Sequence, residues 1–496
     1  MSNSKNPWIA FIPVIIGVFM AVLDASILMV ALPKITQEFQ ATAADIQWIL
    51  DSYLLTLVIL LIVFGRLGDI FNRKIIYIVG ISLFTLGSYL CAQSWNVLVF
   101  ILFRILQAIG AAMIMGNSMA LITELFPPGK RGTAMGVQSI LIAASFALGP
   151  VLGGWITEHL SWHWVFYINV PIGILGSIMG IFVLPSEEMH LKEELDILGV
   201  IMLAISLGFL TLGIIKGQDW GWYSLKTILC FIIFLCWGFA LIFRELSSKN
   251  PVLDLKLFKI ENFSAPLIGL FFLSMGLAIA MFLVQYYLQG ILLLGPEQAG
   301  LWMAPLSLIN IFVAPIAGRL SDKIDPKITM VIGPLIYLYG VYAFMHVGIN
   351  STFWDLLPGF LAIGAGLGLV MPAAMNVMMS SVPKEKSGMA SGTIQTFNSL
   401  ARSIGISFGG AVFTSKMNEY IPGYGSHIPT SFEIKYYGIL YLNNIKKPLL
   451  EITDAFIKSF HSVFLVATPF IILSLFIFVF LVKGGKITSS ESMIVE

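Results

Sequence analysis

Gly65-Arg66-Leu67-Gly68-Asp69-Ile70-Phe71-Asn72-Arg73-Lys74 returns in the second half of the chain as Gly318-Arg319-Leu320-Ser321-Asp322-Lys323-Ile324-Asp325-Pro326-Lys327, identical at five of ten positions. Each copy closes one apolar run and opens another, so each reads as a tight turn between two helices, with glycine permitting the reversal. At almost the same offset, Gly110 to Gly136 matches Gly366 to Gly392, with Met115/Met371, Pro127/Pro383, Lys130/Lys386 and Gly132/Gly388 among the paired positions. Gly149, Gly153 and Gly154 return as Gly405, Gly409 and Gly410. A parallel repeat of two helical halves accounts for all of these matches.

The composition identifies the solvent of that repeat. Apolar residues make up 58% of the chain and charged residues 11%, against about 25% charged in a typical soluble domain. Apolar runs of about 20 residues follow one another, which is the length that crosses a bilayer as a helix. The fold class expected is an all-α integral membrane protein. The run from Trp8 continues past Asp24 to Leu32, too long for a cleaved signal peptide, and reads as the first membrane helix. Cys91, Cys230 and Cys236 lie inside apolar runs without metal-ligand spacing. Neither a metal nor a cofactor is expected. The net charge of +1 gives no reason to expect nucleic acid; the expected partners are a small-molecule substrate, protons and the lipid bilayer, with the chain a monomer.

Apolar runs bounded by Pro, Gly and charges place helices near 8–32, 47–66, 75–93, 97–122, 134–157, 164–184, 197–215, 225–243, 263–290, 298–318, 328–347, 356–381, 391–415 and 460–482. With the N-terminus inside, these fourteen spans put 18 Lys and Arg residues in cytoplasmic segments, 3 in short outer loops, 5 in the loop 416–459 and 2 within helices. The positive-inside rule then places both termini in the cytoplasm, as expected of a multi-pass plasma (inner) membrane protein. The repeat divides the chain into an N-terminal six-helix bundle, 1–184; a linker with two extra helices, 185–262; and a C-terminal six-helix bundle, 263–496, with a long outer loop at 416–459. That loop is too polar to span and is expected to hold short helices or an interfacial lid.

With these stretches in view, the chain resembles the major facilitator superfamily, and within it the fourteen-helix drug:proton antiporters. Leu23-Asp24-Ala25-Ser26-Ile27 through Ala31-Leu32-Pro33 is similar to the first-helix signature of that group, and Gly65 to Lys74 to the superfamily's cytoplasmic loop motif. Arg104 with Gln107 and Gly110 resembles the fourth-helix motif. Gly149-Pro150-Val151-Leu152-Gly153-Gly154 resembles the fifth-helix antiporter motif, departing from it at Ser145, where a glycine is usual. The run from Trp162 to Pro171 is similar to the family's entry into its sixth helix. The resemblance implies two bundles in pseudo-twofold repeat. It also implies that Asp69 latches one half onto the other, near the start of the helix at 391.

Read for their chemistry, the ionisable residues at membrane depth are few, and each costs roughly 2.5–3.5 kcal/mol by insertion scales, so each is a candidate functional group. Asp24 and Asp51 lie towards the outer side of the first half and are candidates for proton coupling and cation recognition. The alternatives are that Asp24 pairs with a neighbouring helix and that Asp51 is a solvated interfacial acid. Arg104 cannot lose its charge and needs a partner, which makes it the modulator of a nearby acid. Glu124 is either solvated or coupled. In the turn 65–74, Asp69 faces a helix N-terminus while Arg73 and Lys74 stay in water. Gly149 and Gly153 allow close helix packing, and Pro150 gives a bend that its repeat partner Ile406 lacks. Gln285, Tyr286, Gln289, Asn310, Gln395, Asn398 and Arg402 are candidates for lining a cavity.

No G-x-x-x-x-G-K-[ST] loop supports an ATP-driven pump, and no H-E-x-x-H or G-x-S-x-G supports an enzyme. The expected function is proton-coupled export of amphipathic, cationic drugs. The alternatives are a dedicated exporter of one metabolite, lipid or siderophore, and, more remotely, a non-transporting receptor or accessory protein.

Overall fold

A computed structural model describes residues 6–185, 195–421, 439–442 and 445–485. The first half comprises α1 (Pro7–Phe39), α2 (Ala43–Ile70), α3 (Arg73–Ala92), α4 (Val97–Leu125), α5 (Arg131–His159), the short α6 (Trp164–Tyr167) and α7 (Asn169–Val183). Then come α8 (Ile197–Trp220) and α9 (Leu225–Ser247). The second half holds α10 (Glu261–Tyr286), α11 (Pro296–Lys323), α12 (Pro326–Phe344), α13 (Phe353–Ser381), α14 (Ser387–Tyr420) and α15 (Leu449–Phe480). Thirteen spans among the described residues are long and apolar enough to cross a membrane, α6 and α7 counting as one. α14 is the fourteenth of membrane length. Its Ser, Thr, Gly and Asn content lowers its apolarity, and it occupies the place in its half that α5 has in the other.

Local chemistry sets the ends. Thr42 and Asp45 form a reciprocal cap on α2, and Asn72, Asn96, Asp196 and Asp325 each accept backbone N–H bonds at the starts of α3, α4, α8 and α12. These side chains satisfy donors that a helix start leaves open. The expected helix 164–184 is interrupted at Ile168. Pro171 has no N–H for the carbonyl of Tyr167, so the ladder breaks there.

The repeat appears in the packing. α10 lies against α14 as α1 lies against α5, and α12 against α13 as α3 against α4. The halves meet along two seams, α2 with α14 and α5 with α11. α8 packs on both helices of the first seam and carries α9 on its far side. The two central helices thus cover one seam only.

Several helices extend beyond the bounds read from the sequence, α1 to Phe39 among them, and two of these extensions change the reading of charged residues. The last helix begins at Leu449, not near 460, because residues 449–459 form an amphipathic extension. Ile452, Ala455 and Phe456 are buried while Asp454 and Lys458 pair at 2.6 Å on the exposed side. Just before it, Ile439–Leu442 pairs antiparallel with Ile445–Pro448; Pro422, Gly423, Tyr424, Gly425 and Pro429 of the expected outer loop lie outside the described residues, as does 186–194. The seventh expected span, ended at 215, runs on to Trp220, so Lys216, counted above as an outer-loop cation, is a buried helical residue.

Candidate functional site

The quoted turn and its repeat form two latches across the seams. Asp69, at the end of α2, accepts the backbone N–H of Gly388 and of Met389, both at 2.7 Å. These are open donors of the first turn of α14, where the helix dipole also favours a carboxylate. Asp322, near the end of α11, repeats the arrangement on the first turn of α5: it accepts from Gly132 N–H at 2.9 Å, Thr133 N–H at 2.8 Å and the Thr133 hydroxyl at 2.8 Å. Backbones touch beside each latch. A Cβ on Gly65 would run into the Gly388 carbonyl, and one on Gly318 into the Gly132 carbonyl. This face of the molecule is closed.

The two latches differ in charge. Arg73 bonds Asp69 at 2.8 Å, reaches the Lys384 carbonyl across the seam at 2.6 Å and stands 3.7 Å from Glu124. It is buried, which corrects the expectation that it stays in water: a guanidinium with three acceptors in reach is held by them. Lys74 donates to the carbonyls of Ile181 and Leu184 at 2.8 Å each, closing the C-terminal end of α7. Glu124 therefore sits with the latch and far along α4 from Arg104. The second latch has Pro326 where the first has Arg73 and uses Asn376, 3.3 Å from Asp322.

A second cluster lies inside the first bundle. Asp24 is fully buried on α1, and its Oδ2 accepts from Arg104 of α4 at 2.5 Å. Its Oδ1 accepts from Gln107 at 2.8 Å and Asn169 at 3.4 Å. Arg104 also donates to Gln107 at 2.6 Å and stacks over the Tyr53 ring at 4.2 Å. Asn169 donates onward to the Ser88 hydroxyl at 3.0 Å. Of the two expectations for Asp24, the geometry has it paired with a neighbouring helix inside the bundle, where the buried Arg104 needs a carboxylate.

Asp51 of α2 has a different partner. Lys216 of α8 comes within 2.8 Å of it, donates to Gln47 at 2.9 Å and lies 5.3 Å over the Trp48 ring. From the other half, the Ser407 hydroxyl of α14 donates to the Ile214 carbonyl of α8 at 3.1 Å. α8 thus ties the two sides of its seam together near the opposite end from the latches. Sequence reasoning missed Lys216 as a partner because it stands just past the apolar run, as a helix-flanking lysine does. Asn169 was visible within the motif run, but nothing in the sequence tied it to Asp24.

In the fifth-helix motif, a Cβ on Gly149 would overlap the Ser26 side chain, and one on Gly153 would lie 2.9 Å from Ile27. Both glycines pack α5 onto α1. Gly154 faces open space, and Pro150 falls within α5, its side chain outside what the structure describes. Ser145, the departure from the motif, donates to Leu141 at 2.7 Å and receives the Ser26 hydroxyl on its own carbonyl at 3.0 Å. Among the candidate lining residues, Gln285 and Arg402 are exposed, and Tyr286, Gln289 and Asn310 are half-buried. Gln395 and Asn398 are buried, Asn398 accepting from Ser274 at 3.1 Å.

Comparison with known proteins agrees with this geometry. Residues 14–406 match the model of the Major Facilitator Superfamily. The tetracenomycin C resistance and export protein of Streptomyces glaucescens is 30% identical over 84% of this chain and 78% of its own length. The riboflavin transporter RibZ of Clostridioides difficile (strain 630) is 31% identical over 85% and 91%. The multidrug transporter protein MdtP of Bacillus subtilis (strain 168) is 31% identical over 81% and 74%. These relatives are transporters, not enzymes. With the family model spanning most of its length, and with a helical repeat latched at corresponding turns, this chain belongs to the Major Facilitator Superfamily.

Proposed function

We propose that this transporter exports amphipathic small molecules in exchange for protons, from a plasma membrane in which both termini and the two latches face the cytoplasm. The observation that carries the reading is the pair of latches. Asp69 and Asp322 hold one face shut with charge-assisted bonds to helix starts of the opposite half. Such bonds can break and reform as two bundles rock about a central site. A seal of this kind has two discrete states, which a ligand or a proton biases by binding one better than the other. Two relatives whose names describe resistance, export or multidrug transport support the outward direction.

For the coupling acid, Asp51 is the better candidate of the two expected. Asp24 is sealed between Arg104 and Gln107, whereas Asp51 is partly accessible, its side chain 15% exposed, and its partner comes from a different structural unit. Protonating Asp51 removes the charge that holds Lys216, and with it part of the tie between α2 and α8. The second reading, a dedicated carrier of one metabolite, is favoured by the relative named as a riboflavin transporter.

Sealed vesicles under an imposed pH gradient test the proposal with cationic, neutral and anionic candidates. Uptake that follows the gradient and collapses with a protonophore is expected for several unrelated compounds. Gradient-driven uptake of a single compound would favour the second reading, and gradient-insensitive uptake would remove the proton.

A further inference from the structure

The charge arrangement in the cleft between the halves deepens that reading, on which this inference rests. Gly388, Gly392, Gln395, Ser399, Arg402 and Ile406 follow one another on α14 at intervals of four, three, four, three and four, and so form one stripe of the helix. The lower part of the stripe faces the first half directly. Gly388 meets Asp69 and Gly65, and a Cβ on Gly392 would meet Leu61 and Ile62 of α2. Gln395 and Ser399 remain buried. Arg402 and Ile406 are exposed. The same face that seals the latched end is therefore uncovered from Arg402 onward, and Arg402 lies on the side of α14 that meets the first half lower down.

Its depth rules out the membrane surfaces. Arg402 lies 15 residues from the first residue of α14 and 18 from the last, and at about 1.5 Å per residue both ends are more than 20 Å away. α2 runs antiparallel to α14 beside it, so ten residues above the Gly392–Leu61 contact Arg402 comes roughly level with Asp51. That carboxylate is already held at 2.8 Å by Lys216. Asp24, the other acid at this depth, is held by Arg104 inside its bundle. Among the described residues no acid pairs with Arg402, whose Nε donates to the Asn398 carbonyl of its own helix at 3.4 Å. A guanidinium cannot shed its proton and carries a planar fork of donors suited to a carboxylate or similar oxyanion. In the repeat, its place is taken by Phe146, so the cation belongs to one side of the cleft only.

We propose that Arg402 is the recognition point for an anionic group, a carboxylate or comparable oxyanion, on the exported molecule. This reverses the cationic preference expected from the two acids, both of which are neutralised by bases of the protein itself.

Three aromatic carboxylates of different size, beginning with 2-naphthoate, are each titrated against their primary amides. Purified full-length protein in neutral detergent is used, and affinity is read by calorimetry. The carboxylates should bind at least about tenfold more tightly than the amides, the size of one charge-assisted pair. Arg402→Gln should abolish that preference while leaving amide binding within about twofold, and Arg402→Lys should retain part of it. Elution volume and melting temperature check that the variants fold. If no carboxylate outbinds its amide, or if the preference survives in Arg402→Gln, the inference is overturned. Binding needs no proton gradient, so a preference that holds while vesicles show no proton-driven export would sink the proposed antiport alone.

Discussion

Asp69 and Gly388 are 319 positions apart in sequence and joined by a 2.7 Å hydrogen bond that closes the molecule across its seam. Asn in place of Asp69 keeps the shape and one acceptor oxygen but removes the charge that the start of α14 favours. Asp69→Asn should therefore shift the population away from the latched state by about 1.5–3 kcal/mol, the range for a hydrogen bond to a charged group. Asp322→Asn should do the same at the other seam. Distances between spin labels across the latched face would show it as a growing long-distance population; an unchanged distribution in both variants would mean that the seal rests on backbone packing.

The glycines beside the latches make a steric version of that test. A side chain on Gly65 collides with the Gly388 carbonyl, whereas a Cβ on Gly154 meets nothing within 4 Å. Gly65→Val should stop this face from closing and halt transport while the protein still folds. Gly154→Ala should transport at close to the wild-type rate. Rates from reconstituted vesicles, set against expression and melting temperature, separate the two outcomes.

Burial ranks the two ion pairs. Arg104 and Asp24 are 2% and 0% exposed, Lys216 and Asp51 5% and 15%. Removing one member of a fully buried pair leaves an uncompensated charge and typically costs 3–5 kcal/mol. Asp24→Asn should lower thermal stability more than Asp51→Asn, and Asp24→Asn with Arg104→Gln should recover much of the loss. Equal costs at the two sites would mean that Asp24 has a route to water that its packing does not reveal.

The two halves were legible in the sequence because Gly65–Lys74 and Gly318–Lys327 are recognisable copies, and because lipid demands long apolar runs that end at such turns. Asp69 was legible as a carboxylate able to face a helix start; that the helix belongs to the other half was what the family resemblance implied. Partnerships were harder. Asp24 and Arg104 are 80 residues apart in two motifs that do not mark each other as partners, and which of them faces a bundle interior depends on helix rotation, which apolar content all round a membrane helix conceals. Lys216 was invisible because a lysine after an apolar run is what a helix end looks like. The extension of α15 back to Leu449 was missed because its charges, spaced along one side, read as loop when only apolarity is scanned.

Orientation is open to a direct check, motivated by the bias of Lys and Arg towards the latched face. In a background lacking Cys91, Cys230 and Cys236, a cysteine at Ser247 should resist an impermeant reagent in intact cells, while one at Trp95, 72% exposed, should react. The reverse pattern would invert the molecule in the membrane and turn the proposed export into import.

Proton exchange is the centre of this account, and it predicts that a transported compound and a proton compete for the same molecule. The direct measurement is proton release: a compound that passes the vesicle test is added to purified transporter in weakly buffered detergent solution, and the pH is followed. Wild type should release protons on binding, because the substrate-binding state holds the proton less well and this outweighs the opposite pull of an anion level with Asp51. Asp51→Asn should bind the compound and release almost none. If wild type binds without any pH change across the range in which it transports, substrate and proton do not exchange on this protein, and the antiport account is wrong.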